Sequence, residues 1–466
     1  MDFARFRTIE VPFDKDANIT PLGPIDGAGA QSALAAMLPD IDDAIVISHG
    51  WNNDVLDARA LYTGFFASVA AAWSAAGLTP AEQNRTGVVA LYWPSKKFDE
   101  TDLIPGGAAA IRDAAATDYG AAITAQIANL KDEFGQFDAA QRRLLDVASQ
   151  QVPELDTPAA QNAYVTALAA LFPSVPGEAD PGLDASHGGF KERTGAEILQ
   201  DIGLQLGTQA SAASTSGGAA LVDDDAPQAV GSSVAAQAFD PIGDVTRAAQ
   251  LLLNLTTYYV MKERAGTVGR AGAAPLVAQA LQAKPSLRVH LVGHSFGGRL
   301  VTSLAQALPD GARARTLSLL QAAYSHYGLA PAPGDGSRPP GAFRDVVVKG
   351  KVQDVIQITH SAHDWAVGAA YPIASLIARD SASALPISVP GTENSPWGGM
   401  GASGAQQTDE AFDDTLLDGH AAYAPLPAGK SIRNLSGDAF ISAHGDIAGP
   451  QVTWAFLQAF ILARGH

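Results

Sequence analysis

Short apolar runs ending in turn residues alternate along the chain with stretches of helical period. That is the pattern of βα units, whose strands lie largely parallel in one sheet. Strands are predicted at 45–48, 88–93, 289–292, 317–322, 355–359 and 432–435, and the opening "FRTIEVPF" reads as an antiparallel edge strand. Helical spacing predicts helices over 58–76, 301–308 and 452–463, the last carrying Trp454, Phe456, Leu457 and Ile461.

Two stretches break this rhythm. Residues 106–240 are Ala-rich, with helical segments such as "AAITAQIANLKDEF" and "AAQRRLLDVASQ", and grade into a Gly/Ser/Ala/Asp-biased part read as flexible. Residues 380–430 are rich in Pro, Gly, Ser and Asp with little periodicity, so an irregular excursion is expected there. The predicted organisation is an α/β core over 1–105 and 241–466, interrupted by a largely helical insertion at 106–240. The insertion is expected either to cap a site or to serve as an oligomerisation surface; the oligomeric state is left open.

Composition narrows the function classes. With 47% hydrophobic and 17% charged residues the chain is globular rather than disordered. A net charge of −18 disfavours a surface for nucleic acid or anionic membrane, since phosphates would be repelled. The absence of cysteine excludes disulfides, thiolate metal sites and a cysteine nucleophile. No run of about 18 apolar residues is present, so no integral membrane segment is expected. The opening "MDFARFRTIEVPFDKD" has no apolar h-region, which leads to the expectation of a cytoplasmic chain, with a secreted mature form left open.

The chemistry concentrates where "RVHLV" gives way to "GHSFGG" and then to helical spacing at Leu300, Leu304 and Leu308. Gly-x-Ser-x-Gly between strand and helix is a nucleophile elbow. Its turn is so sharp that Ser295 must adopt a strained backbone, and side chains at Gly293 and Gly297 would collide with neighbouring elements. His294 and Phe296 complete the pentapeptide. A neutral serine hydroxyl also needs a base within hydrogen-bond reach and a third group to orient that base.

With this elbow the chain resembles the α/β-hydrolase superfamily, in whose esterases and lipases the "GHSFGG" form is common. The likeness covers 41–98 and about 245–466. A closer likeness is to bacterial hydrolases of unknown substrate in which "VVALYWPS" follows "SHGW", and "YYVMKERAGTVGRAG" (258–272) is similar to theirs. The resemblance implies an α/β-hydrolase fold, with a mostly parallel sheet flanked by helices. It also implies a chain order of Ser, then acid, then His.

On that basis Asp364, in "THSAHDWAVG" after a strand, is the expected acid, ahead of Asp345, Asp354 and Asp380. His444, in "SAHGDIAG" before the last helix, is the expected base, ahead of His420; a pKa near 6.5 suits it to take and return a proton. The oxyanion hole is expected from the backbone N–H of Phe296 and of Trp51, the latter turned inward by His49-Gly50.

Trp93, held extended by Pro94, is expected as a buried strand terminator, and Lys262 and Arg264 as a solvated helical face. His360 and His363 beside Asp364 lack the helical spacing of a zinc pair and are read as local hydrogen-bonding residues. The expected activity is carboxylic ester hydrolysis through an acyl-enzyme, on a small-molecule or acyl-chain ester, with neither cofactor nor metal. The alternatives are amide or thioester cleavage on the same triad, or a non-catalytic binding protein on a hydrolase scaffold.

Overall fold

Among the described residues, a single sheet of eight strands organises the chain. In the computed structural model, which describes residues 2–21, 27–51, 53–95, 119–132, 137–171, 193–200, 202–203, 241–335, 339–364 and 398–465, the strands are β1 Arg7–Pro12, β2 Asp43–Ser48, β3 Thr86–Tyr92, β4 Arg288–His294, β5 Ala314–Leu320, β6 Val352–His360, β7 Ala411–Thr415 and β8 Ile432–Ser436. Their order is β1-β3-β2-β4-β5-β6-β8-β7, and every neighbouring pair runs parallel. The fold is therefore an α/β arrangement with an all-parallel sheet.

Helices cover both faces, so the central strands are buried throughout and read as apolar runs rather than alternating ones. Period two nonetheless decides which side chain faces which layer. Val46, Val89 and Leu291 pack with the layer formed by Gly27–Met37, Ala274–Ala283 and the elbow helix Phe296–Ala307. Ile45, Ile47, Val88 and Val292 face the other layer, Val55–Ala72 and Pro450–Leu462. There Phe65 meets Phe456 edge-on, and Trp73 meets Phe460.

At the start of β2 and β4, the end of the sheet away from the elbow, buried Asp43 accepts from Arg288, Arg464 and His290. Despite its burial, these partners hold its carboxyl down at about 2. The cluster ties the last residues of the chain to the sheet.

β1 occupies the sheet edge as expected but is parallel to β3, not antiparallel. The chain leaves β1 through the helix Gly27–Met37 before entering β2, and a helical crossover returns the strand in the same direction. The excursion at 380–430 also differs from expectation. Within its described part Ala411–Thr415 forms an edge strand beside β8. Its "AFDDT" carries no strand signal because much of it faces solvent.

The described part of the insertion includes the helices Tyr119–Asp132, Ala139–Gln151 and Pro158–Ala169. They bury Ile123, Ile127, Leu145 and Leu168, together with Leu252 and Leu253 of the long helix Pro241–Thr267, and the Tyr164 hydroxyl donates to the Ala249 carbonyl at 2.9 Å. That helix serves both parts: its first half carries the insertion, and its far end packs on the elbow helix. The Gly/Ser/Ala-rich part expected to be flexible lies outside the described residues. Among the described residues, no helix is long and apolar enough to cross a membrane.

Lys262 and Arg264 are not a solvated face: both are buried. Arg264 Nη1 donates to the Pro94 carbonyl, and Arg299 Nε of the elbow helix donates to the backbone carbonyl of Lys262, each at 2.9 Å, so this stretch of helix packs inward against the elbow helix. Beyond them the chain makes a π-helical turn at Val268–Ala273. A Cβ on Gly269 would lie 2.2 Å from the Leu300 carbonyl oxygen, so the glycine lets this turn press directly on the elbow helix.

Candidate active site

Ser295 stands between β4 and the elbow helix with φ 56° and ψ −124°, a conformation that side chains other than glycine rarely adopt. Holding it there costs on the order of 1–3 kcal/mol. The surroundings over-determine it: Ser295 N donates to the Leu320 carbonyl at 3.1 Å, and Ala323 N and Gly298 N both donate to the Ser295 carbonyl at 3.0 Å. The flanking glycines are required by space. A Cβ on Gly293 would fall 2.3 Å from the Gly297 carbonyl oxygen, and one on Gly297 only 2.2 Å from that of Ser48. Both obstacles are backbone and cannot swing aside. Gly297→Ala is therefore expected to lower stability by about 3 kcal/mol or more. A urea-unfolding midpoint equal to that of the parent protein would contradict this.

The loop after β2 reaches the same point. A Cβ on Gly50 would lie 2.6 Å from Ser295 Cβ and 3.2 Å from Ser295 Oγ, so only glycine lets this backbone approach the hydroxyl. His49 is the buried peg of the loop. Its N–H donates to the Tyr62 hydroxyl at 2.7 Å, and that hydroxyl donates to the Leu91 carbonyl at 2.6 Å. Trp93 N donates to His49 Nε2 at 3.2 Å, so Nε2 holds the lone pair and Nδ1–H donates to the Gly50 carbonyl at 2.9 Å.

The Trp93 indole stacks on this imidazole and donates to the His49 carbonyl, a buried strand terminator as expected. Asn53 Nδ2 pins the Trp51 carbonyl at 2.9 Å, and the Trp51 ring rests against that of Phe296 with 6.0 Å between centroids. The two residues expected to supply oxyanion N–H groups thus sit side by side.

The loops carrying the expected acid and base leave β6 and β8 at the same end of the parallel sheet. Asp364, buried after β6, places both carboxylate oxygens 2.9 Å from His444 Nδ1. The acid loop is stitched to the base loop: Ser361 Oγ donates to the Ile441 carbonyl, and Ala362 N to Asp438. The base loop is also closed on itself, because one oxygen of Asp446 accepts from Ser442 N, Ser442 Oγ and Ala443 N. The His444 carbonyl accepts from His294 Nε2 at 2.8 Å, and the two rings lie 4.8 Å apart.

Ser295 Oγ and His444 Nε2 do not hydrogen-bond to each other, and among the described residues neither has another hydrogen-bond partner. His420, the competing base, packs on Trp454 instead. His360 is mostly buried, its carbonyl accepting from Gly437 N, whereas His363 is exposed. No group of metal-ligating side chains is found among the described residues.

Sequence reading missed Gln321. It is buried at the end of β5 with φ 42°, and it donates towards the carbonyls of His444 and Asp446 at 3.4 and 3.5 Å. The signal was slight: a glutamine following the strand run in "TLSLLQAA".

Burial pushes His49 down to about 4 and His294 down to about 3, so both are neutral in the folded protein. In the unfolded chain each regains an ordinary value near 6.5. The stability this contributes is complete above that value and is lost as pH falls towards the folded values. Between pH 6 and 4.5 each histidine should lower stability by roughly 1–1.3 kcal/mol per pH unit. His294→Gln should flatten the slope of stability against pH by that amount, read from urea midpoints. An unchanged slope would contradict it.

Comparison with protein-family models, with curated proteins and with solved structures finds no match to this chain.

Proposed function

We propose that this chain is a serine hydrolase of the α/β-hydrolase superfamily, cleaving carboxylic esters through an acyl-enzyme. The observation that carries the reading is the bond of both Asp364 oxygens to His444 Nδ1, on a loop whose carbonyl is bonded to the residue preceding a strained elbow serine. With Nδ1–H donating to a carboxylate, the lone pair of His444 lies on Nε2, the atom that must accept a proton.

In the proposed reaction Ser295 Oγ attacks the acyl carbonyl while its proton passes to His444 Nε2. The tetrahedral oxyanion is stabilised by the backbone N–H groups of Trp51 and Phe296, the latter at a helix N-terminus that favours negative charge. Collapse expels the alcohol, which takes the proton back from His444. Water, deprotonated by the same imidazole, then attacks the acyl-enzyme, and the acid leaves as Ser295 Oγ takes that proton back from His444. A rotation of the Ser295 or His444 side chain closes the remaining gap, as bases often engage fully only in the substrate complex. The insertion is proposed to cap the site and shape an acyl pocket.

A fluorophosphonate probe is expected to label the chain at Ser295, as mapped by peptide mass spectrometry, and a nitrophenyl ester series to be hydrolysed faster than the matching anilide. Failure to label would favour a binding protein on this scaffold, and faster anilide turnover an amidase.

A further inference from the structure

The base loop is held by its backbone as well as by its imidazole. The His444 carbonyl receives two side-chain donors, each from the end of a different strand: His294 from β4 at 2.8 Å and Gln321 from just beyond β5 at 3.4 Å. A carbonyl oxygen only accepts, so His294 must carry its proton on Nε2. The Gln321 amide is oriented by the same logic. Its nitrogen faces two carbonyls, of His444 and Asp446, while its oxygen accepts from the Thr359 hydroxyl of β6 at 2.8 Å. The reverse orientation would set oxygen against oxygen.

We infer that His294 and Gln321 are positioning residues: by gripping the His444 carbonyl they lock the base-bearing loop to the nucleophile elbow and fix where the imidazole can reach. The kinetic part of this inference rests on the hydrolase reading; the structural part does not.

The geometry argues for a lock rather than incidental packing. Because the Asp446 carboxylate ties Ser442 and Ala443 together, the loop moves as one piece, and its carbonyl is a sufficient handle. Asp364 fixes the imidazole at Nδ1 but allows rotation about that contact. The carbonyl grip adds a second point, which fixes the backbone from which the imidazole projects.

His294 adjoins Ser295 in the chain, and its Nδ1 and the Ser295 hydroxyl lie 3.1 and 3.2 Å from the one position a Gly50 Cβ would occupy. The grip therefore originates at the nucleophile itself. Gln321 is equally committed: its positive φ and its bonds to Thr359 hold it where it can span the loop.

The test compares His294→Leu, which keeps the bulk and loses the donor, with His294→Gln, which keeps an N–H of similar reach. Gln321→Met and the double variant His294→Leu/Gln321→Met complete the set. Rates are measured on 4-nitrophenyl acetate per fluorophosphonate-titrated site. His294→Leu should lower kcat by roughly 30–100-fold with KM within about 3-fold, the scale expected when a reacting group is misplaced. His294→Gln should recover most of that loss, and the double variant should fall below either single one.

The second readout is the deshielded proton resonance of His444 Nδ1–H against Asp364. It should be present in the parent and in His294→Gln, and broadened or lost in His294→Leu. Equal losses in the leucine and glutamine variants, or a resonance unchanged in His294→Leu, would overturn the inference. If the parent hydrolyses no ester, the hydrolase reading falls while the resonance still decides the positioning role.

Discussion

Ser295→Ala is expected to lower kcat/KM on a nitrophenyl ester by a factor on the order of 10⁵ while leaving the fold intact. The size follows from the proposed mechanism: without Oγ there would be no acyl-enzyme, and only the N–H groups and substrate binding could still assist direct attack by water. The intact fold follows from the structure. Alanine meets the same positive-φ penalty as serine, so no backbone strain is added. Among the described residues Ser295 Oγ makes no hydrogen bond that its removal would leave unpaired. A thermal midpoint equal to or slightly above that of the parent is expected. Ser295→Gly should be more stable by up to about 1 kcal/mol, since glycine accepts φ 56° without strain. Turnover above about 1% of the parent in Ser295→Ala, with contaminating esterase excluded by titration, would remove the nucleophile assignment.

Asp364→Asn should come next, lowering kcat on the order of 10⁴-fold with KM little changed. An asparagine amide can face His444 in two ways. With its oxygen towards Nδ1–H it keeps the geometry but not the charge that stabilises the imidazolium. With its nitrogen towards Nδ1 it drives the imidazole proton onto Nε2, and the base can then no longer accept from Ser295. Either way the transition state loses more than the ground state. The environment leaves little room to adapt, because Asp364 is buried and a Cβ on Gly401 would come within 2.8 Å of its Oδ2. The measurement is a steady-state profile of Asp364→Asn beside Asp364→Ala, with circular dichroism to verify folding. A loss of less than about tenfold in both would mean that His444 does not depend on this carboxylate.

The parts legible in the sequence are those whose cause is local. "GHSFGG" could be read because each glycine answers to a neighbour only a few residues away or to the adjacent strand, and no larger residue fits. The strand positions were legible too: strands buried on both faces need unbroken apolar runs, and β2 and β3 are buried at every residue. Asp364 and His444 were singled out by their place after a strand and before the last helix, with the resemblance to α/β-hydrolases behind the choice.

Other features depend on what lies across the fold. The direction of β1 is set by the helical crossover that follows it, and "FRTIEVPF" itself carries no mark of direction. "AFDDT" becomes a strand only because β8 offers it an edge. Lys262 and Arg264 look solvated by residue type, yet both are buried, Arg264 reaching the Pro94 carbonyl just beyond the end of β3 and the Lys262 backbone accepting from Arg299 of the elbow helix. Gln321 gives little warning in "TLSLLQAA", since its task is defined by a loop 123 residues further along the chain.

The sequence alone therefore determined the βα rhythm, the parallel sheet and the glycine-framed serine, all consequences of burial and steric limits acting over short separations. Tertiary structure alone decided how the Asp364 and His444 loops meet, and that His294 and Gln321 hold the second of them. Hydrogen bonds between distant loops rest on distances and angles that no one-dimensional pattern encodes.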